Sequence, residues 1–426
     1  MDGGGHIPVG PVFAVQRTSP SVPAVKDVEA AVQQSLSALQ IPAAKLRGCT
    51  IAVTVGSRGI DRLSAVVRGS CRWLKSQGAT AFIVPAMGSH GGGTSAGQHR
   101  VLEQYGITPE FTGAEIRSSM ETTSLGMTPE GIQVVMDRHA YDADAVLVIN
   151  RVKPHTDFSG NVESGVLKMM TVGLGKAVGA QELHRWSREV GFEPCLRAMA
   201  GRILASGKIL CGLALIENEF HQIAHVSASM PEGIVAQEEK ALAIAKQLVA
   251  RIPFRELDLL IVDELGKNIS GSGMDTKVIG RGLPLVPPEA PCIRAIYARD
   301  LTEESEGNAA GVGLADLIHE KLFQKIDYQK TFLNVRTSLN LPLAQIPLHC
   351  PSDRDALDFA LGYLGSARPE QQRIAWIRNT LELDRLACSQ ALASDVSKLD
   401  GWRLEPQPVV PKFDRSGGTC SPLQGC

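Results

Sequence analysis

Three apolar runs in the first 150 residues end in the same abrupt way, and this repetition restricts the fold more than any other feature of the chain. Cys49–Val55 (CTIAVTV) stops at Gly56-Ser57-Arg58-Gly59, and residues 80–85 (TAFIVP) stop at Gly88-Ser89-His90-Gly91-Gly92-Gly93. Residues 144–149 stop at Arg151-Val152-Lys153-Pro154-His155. Short, continuous apolar runs of this kind suit strands buried on both faces of a parallel sheet. Helical spacing follows at 62–76, and Thr94 is placed to cap the helix after the second loop. Strand, polar loop, helix and strand in succession predict an α/β fold with mainly parallel sheets. Ligands of such sheets gather beyond the carboxyl ends of the strands, where all three polar loops fall.

The same reading divides the chain. Helical spacing covers 24–39 and 233–250, Ile252-Pro253-Phe254 breaks it, and a new buried strand is predicted at 257–263. This gives an N-terminal α/β cofactor-binding domain over 1–250 and a C-terminal α/β domain over 251–400, with the active site expected in the cleft between them. In the second domain a strand is predicted at 292–298, with helices around 312–322, 353–364 and 370–392. The first twenty or so residues are expected to be loosely ordered. Residues 401–426, rich in Pro and Gly, are expected to form a mobile tail.

Composition removes several function classes. Among 426 residues the net charge is −2 and aromatics are 5%, which argues against a nucleic-acid partner or a polybasic membrane contact. No apolar stretch approaches the ~20 residues of a membrane span. The N-terminal residues 1–6 show neither the basic nor the apolar part of a signal peptide. Nine cysteines are scattered without a C-x-x-C pair, which fits a reduced, cytoplasmic setting.

Glycine is in excess, and the excess is local. Residues 88–97, 160–179 and 266–282 hold five glycines each out of 42 in the chain. They accompany the side chains able to do chemistry. His90 sits among glycines that allow backbone to approach a ligand and form an anion nest. Arg151–Arg185 holds His155, Lys168 and His184, together with a G-x-G-x-x-x-G run at 173–179. That run has the spacing of a dinucleotide turn, though no clear strand precedes it. Arg58 can fork onto a carboxylate or phosphate, and Lys267 lies in a Gly/Ser loop after the predicted strand at 257–263.

The order Arg58, His90, His155, Lys168, with His184 following the lysine by 16 residues, resembles the nickel-dependent lactate racemase family over roughly residues 50–280. The resemblance implies a racemase or epimerase of a small-molecule 2-hydroxy acid that uses a nickel pincer nucleotide. Lys168 would hold that cofactor covalently and His184 would ligate the nickel. His90 and His155 would be the two acid/base residues. Arg58 and Lys267 would hold the substrate carboxylate, with Glu264 in the same pocket. Val55, Gly56, Ser57 and Arg58, with Gly91, Gly92, Gly93 and Thr94, would help bind the nucleotide. The enzyme would depend on the host's cofactor-making enzymes and could form a homo-oligomer.

Three departures from the family pattern point away from lactate towards another 2-hydroxy acid. Three residues are added within Asn161–Gly165, Val55 replaces an aspartate, and Glu264 replaces a glutamine. Other readings of the same residues stay open. The 173–179 glycines allow an NAD(P)-dependent oxidoreductase, and His90, His155 and His184 allow a three-histidine zinc hydrolase. A non-catalytic binder of anionic metabolites is a fourth.

Overall fold

A computed structural model describes residues 6–57, 59–156, 158–282, 289–338, 340–365 and 368–424. In chain order its strands are β1 (Val12–Arg17), β2 (Thr50–Val55), β3 (Thr80–Pro85), β4 (Glu115–Ile116), β5 (Thr122–Met127), β6 (Gln133–Asp137), β7 (Ala145–Arg151) and β8 (Ile209–Glu217). They continue as β9 (Ile223–Ser229), β10 (Glu256–Val262), β11 (Cys292–Ala298), β12 (Leu317–His319), β13 (Leu348–Cys350), β14 (Ile374–Ile377), β15 (Arg385–Ser389) and β16 (Trp402–Val409). The chain is an α/β protein with mainly parallel sheets, and it forms two compact units.

The first unit comprises Val22–His155 and Ser159–Val249. Its sheet runs β4-β3-β2-β7-β8-β9, parallel except for the antiparallel β8–β9 pair. Ile51, Val53 and Val55 of β2 pack with Leu147 and Ile149 of β7 in one buried cluster. Helices Val28–Ser37 and Leu63–Ser76 cover that face through Val32, Leu36, Val66, Val67 and Leu74. A Cβ on Gly212 of β8 would meet Val166 and Ile234 at 3.0–3.2 Å, so that side is covered by the segment around Val166 and by helix Ile234–Leu248. Successive strands step one way from β2 to β3 and the other way from β7 to β8. Beyond the carboxyl ends of β2 and β7 the loops therefore diverge, which is the crevice where ligands of open α/β sheets bind.

The second unit comprises the chain up to Ser21, the short piece Thr156–Phe158, and the chain from Ala250 onward. Its sheet runs β13-β12-β11-β10-β14-β15-β1-β16. The β13-to-β14 half is parallel, and β14, β15, β1 and β16 pair antiparallel.

Several sequence expectations are corrected here. Local pattern puts residues 1–21 in the first domain, whereas β1 lies between β15 and β16 of the second unit, with Val12 and Val15 buried. The segment 401–426, expected to be a tail, supplies β16. Its later part is pinned where Thr419 N–H donates to Asp353 at 2.9 Å and the Ser421 hydroxyl donates to Asp263 at 2.5 Å. The predicted helix at 312–322 contains strand β12 followed by the short helix Glu320–Gln324. The predicted helix at 370–392 is mostly the pair β14 and β15. The other expected strands and helices are present within a few residues. Among the described residues seven cysteines are free thiols, and Cys420 is disulfide-bonded.

Candidate functional site

The loops after β2 and β3 meet through side chains. The Ser57 hydroxyl lies 2.6 Å from Nδ1 of His90, and the Tyr105 hydroxyl donates to the Ser57 carbonyl at 2.7 Å. Val55 is buried in the core and its carbonyl accepts the Ala86 N–H at 2.8 Å. Arg58 lies outside the described residues. The turn that carries His90 is left-handed at Gly88, Gly91, Gly92 and Gly93, with φ between +59° and +67°. Glycine is required there on conformation alone. A Cβ at Gly91 would also sit 2.8 Å from the backbone of Gly97 and Gln98. Thr94 caps helix Ser95–Gln104 by accepting the Gly97 N–H at 3.1 Å. The Gly93 N–H donates to the His90 carbonyl at 3.2 Å, so part of the expected anion nest is closed within its own turn.

The loop after β7 is folded back by a short antiparallel bridge, in which Lys153 and Ser164 exchange backbone hydrogen bonds of 2.9 and 3.2 Å. The His155 N–H donates to Glu163 at 2.6 Å. Glu163 is buried, 2.8 Å from the Lys246 ammonium, and also accepts the Gly160 N–H at 3.1 Å. Glu163 lies within Asn161–Gly165, the stretch read from the sequence as longer than the pattern it resembles, and it holds the His155 N–H. Sequence reasoning notes the insertion and misses this residue.

Lys168 ends the one-turn helix Val166–Lys168, which passes into a π-helical turn over Met169–Gly173. Its ammonium lies 2.5 Å from Nε2 of His155. Glu238 sits beneath this helix, accepting the Leu167 N–H at 2.7 Å. Burial pushes the Glu238 carboxyl up to about 7 against the pull of the Leu167 and Val166 N–H groups, and its second oxygen has no hydrogen-bond partner. A Cβ on Gly165 would lie 2.5 Å from that oxygen, which explains the glycine.

His184 projects from helix Lys176–Val190 and meets Phe192 edge-on, with ring centroids 5.9 Å apart. His155 stacks on Phe192 at 6.2 Å and 29°. The structure thus brings His155 and His184 to one aromatic ring, sets Lys168 against His155, and pairs His90 with Ser57 at the neighbouring strand end. Phe192 carries no signal in the sequence beyond being aromatic.

In the second unit, Glu264 follows β10 by two residues. It accepts from Arg378 Nε and Asn379 Nδ2, each at 3.0 Å. The Lys267 ammonium donates to the Gly271 carbonyl and to Asn334 at 3.3 Å. These contacts place both residues within loop networks of their own unit.

The two alternative enzyme readings fare poorly on geometry. A dinucleotide turn needs a strand before it and open backbone N–H groups at its glycines. The segment before 173–179 is a π turn. Cβ atoms at Gly175 and Gly179 would lie 2.1 and 2.4 Å from the Thr171 carbonyl oxygen, so these glycines serve close packing. Among the described residues, no group of three or more His, Cys, Asp or Glu side chains is arranged to hold a metal. A three-histidine zinc site is therefore not assembled among them. Nor is any helix among the described residues long and apolar enough to cross a membrane.

No family model matches the chain, and no curated protein matches it. Solved structures do. The lactate racemase apoprotein from Thermoanaerobacterium thermosaccharolyticum is similar over 86% of this chain and 94% of its own, with a TM-score of 0.52 and 14% identity. A protein from Thermotoga maritima is similar over 76% of this chain and 82% of its own, with a TM-score of 0.49 and 16% identity. The chain has an α/β fold similar to that of lactate racemase.

Proposed function

We propose that this protein is a racemase or epimerase acting at C2 of a 2-hydroxy acid, with a nickel pincer nucleotide held on Lys168. The observation that carries the reading is the Lys168 amine against His155, with His155 and His184 on the same Phe192 ring. The residues fit such a group. Lys168 supplies an amine of the kind that covalent attachment needs, and His184, an imidazole suited to nickel, meets the Phe192 ring on which His155, the neighbour of that amine, also stacks. A metal bound here would draw one nitrogen from His184 and its remaining donors from its own organic part.

When bound, the nucleotide supplies an electron-poor acceptor for the hydrogen on C2 and so avoids a carbanion. The remaining work belongs to the chain. His90 and His155 hold and move the hydroxyl proton, one for each enantiomer, since a base must stand on each face of C2. The Ser57 hydroxyl on Nδ1 fixes the His90 ring. Glu163 and Lys246 hold the His155 backbone. Phe192 packs against both His155 and His184 and so fixes their rings relative to each other. The carboxylate is assigned to Arg58, which follows β2.

The test combines intact mass, nickel content and a chiral screen of 2-hydroxy acids on protein from a pincer-making host. Wild type is expected to carry nickel and an added mass that is absent in Lys168→Ala, and to interconvert the enantiomers of at least one acid. Nickel-loaded wild type without added mass on Lys168 sinks the proposal.

A further inference from the structure

A buried polar chain runs beneath the His90 turn. Lys176 is 1% exposed and holds a left-handed φ of +53°. Its ammonium lies 2.9 Å from Oδ2 of Asp137, and donates to the Pro85 carbonyl at the end of β3 and to Oε1 of Gln98 at 3.3 Å. Gln98 is itself fully buried. Its Nε2 donates to the carbonyls of Gly88 at 3.0 Å and His90 at 3.2 Å. Asp137 is tied in turn, since its Oδ1 accepts the Ala140 N–H at 2.9 Å and its own N–H donates to the Leu174 carbonyl at 2.7 Å.

A charge pair taken out of water is a poor source of stability, because desolvation offsets most of the attraction. A left-handed lysine backbone adds a further cost. The arrangement does something that an apolar core could not. The His90 turn is built of four left-handed glycines around Ser89 and His90, so few of its own side chains can hold it. An amide has two ends, and either could face the turn. The Lys176 ammonium can only donate, so it draws Oε1 towards itself and turns the NH₂ end onto the two carbonyls.

We propose that Lys176 and Gln98, clamped by Asp137, are positioning residues that fix the His90 imidazole against Ser57. The geometric claim concerns the protein alone. Only the naming of His90 as an acid/base residue rests on the proposed function.

The test uses the full chain with ¹⁵N-labelled histidine, as wild type, Lys176→Met and Gln98→Met. In proton–nitrogen spectra of the rings, both variants are expected to lose the hydrogen-bonded Nδ1 signal of His90, while the His155 and His184 signals stay in place. Unchanged His90 signals in the variants overturn the proposal. So does an equal displacement of all three histidines, which would mark a general structural effect. If Lys176→Met does not fold, Gln98→Met decides alone. In cofactor-loaded protein, kcat on an acid that wild type turns over is expected to fall about 10²-fold with KM little changed. If wild type turns over no acid, the proposed function fails and the spectra still decide the positioning claim.

Discussion

Glu238 is the residue whose chemistry depends most on its surroundings. Its carboxyl is buried, one oxygen holds the backbone ahead of Lys168, and its pKa is pushed from 4.5 to about 7 by loss of water. An acid whose folded-state pKa is raised binds its proton more tightly when folded than when unfolded. Stability therefore falls as pH rises from about 4.5 to about 7 and is level above that. The loss at high pH is up to about 3 kcal/mol, taking 1.36 kcal/mol for each pKa unit. Glu238→Gln keeps an acceptor for Leu167 N–H without the charge. Denaturant midpoints measured at pH 5 and pH 8 are expected to differ less in this variant than in wild type, with the gain at pH 8. Equal pH dependence in the two proteins contradicts the account. None of this is legible in the sequence, where Glu238 is one polar residue in a predicted amphipathic helix. His90, His155, Lys168 and His184 are legible because spacing and glycine neighbours are properties of the chain itself. Glu163, Glu238 and Phe192 reach the same places from other elements, and their roles arise only from packing.

At the scale of the element, the π turn Met169–Gly173 and the helix after it depend on glycines whose reason is contact. Gly175→Ala would press a methyl onto the Thr171 carbonyl, and overpacking of this kind costs about 1–3 kcal/mol. Gly201, on the exposed side of helix Phe192–Leu204, has open space where a methyl group would stand, with nothing within 4 Å. Gly201→Ala is expected to stabilise by about 0.4–1 kcal/mol. Urea midpoints of the two variants should move in opposite directions from wild type, and a rise for Gly175→Ala counts against the packing account. Elements are legible where pattern and turn chemistry agree, as in β2, β3 and helix Ser95–Gln104. They are misread where apolar residues fall at helical and strand spacings alike. Ile374-Ala375-Trp376-Ile377 is buried at all four positions and pairs with β10. The turn after it is made by Asn379, whose side chain accepts the N–H groups of Leu381 and Glu382 at 2.9 Å. Around 312–322, left-handed Gly311 and close-packed Gly313 end the helical option that Val312, Leu314, Leu317, Ile318 and Leu322 suggest.

For the whole molecule, the sequence shows the α/β class but not which ends of the chain belong together. Local pattern cannot reveal that β1 pairs with residues nearly 400 positions away. The pairing makes a direct prediction. A chain ending at residue 400 lacks β16 and leaves β1 as an edge strand with unpaired backbone groups. Such a protein is expected to melt at a lower temperature and to aggregate at concentrations where the full chain does not, as read by light scattering. Equal melting and scattering would show that β16 adds little.

The same strand order bears on how the protein is made. Residues 12–17 leave the ribosome hundreds of residues ahead of β15 and β16, their two neighbours. At about 5–20 residues per second, the first strand waits tens of seconds for partners. The segment Val22–Val249, apart from Thr156–Phe158, can collapse during that interval around its own sheet. The apolar first strand meanwhile hangs outside, which makes it the natural place for a chaperone to hold a half-made chain.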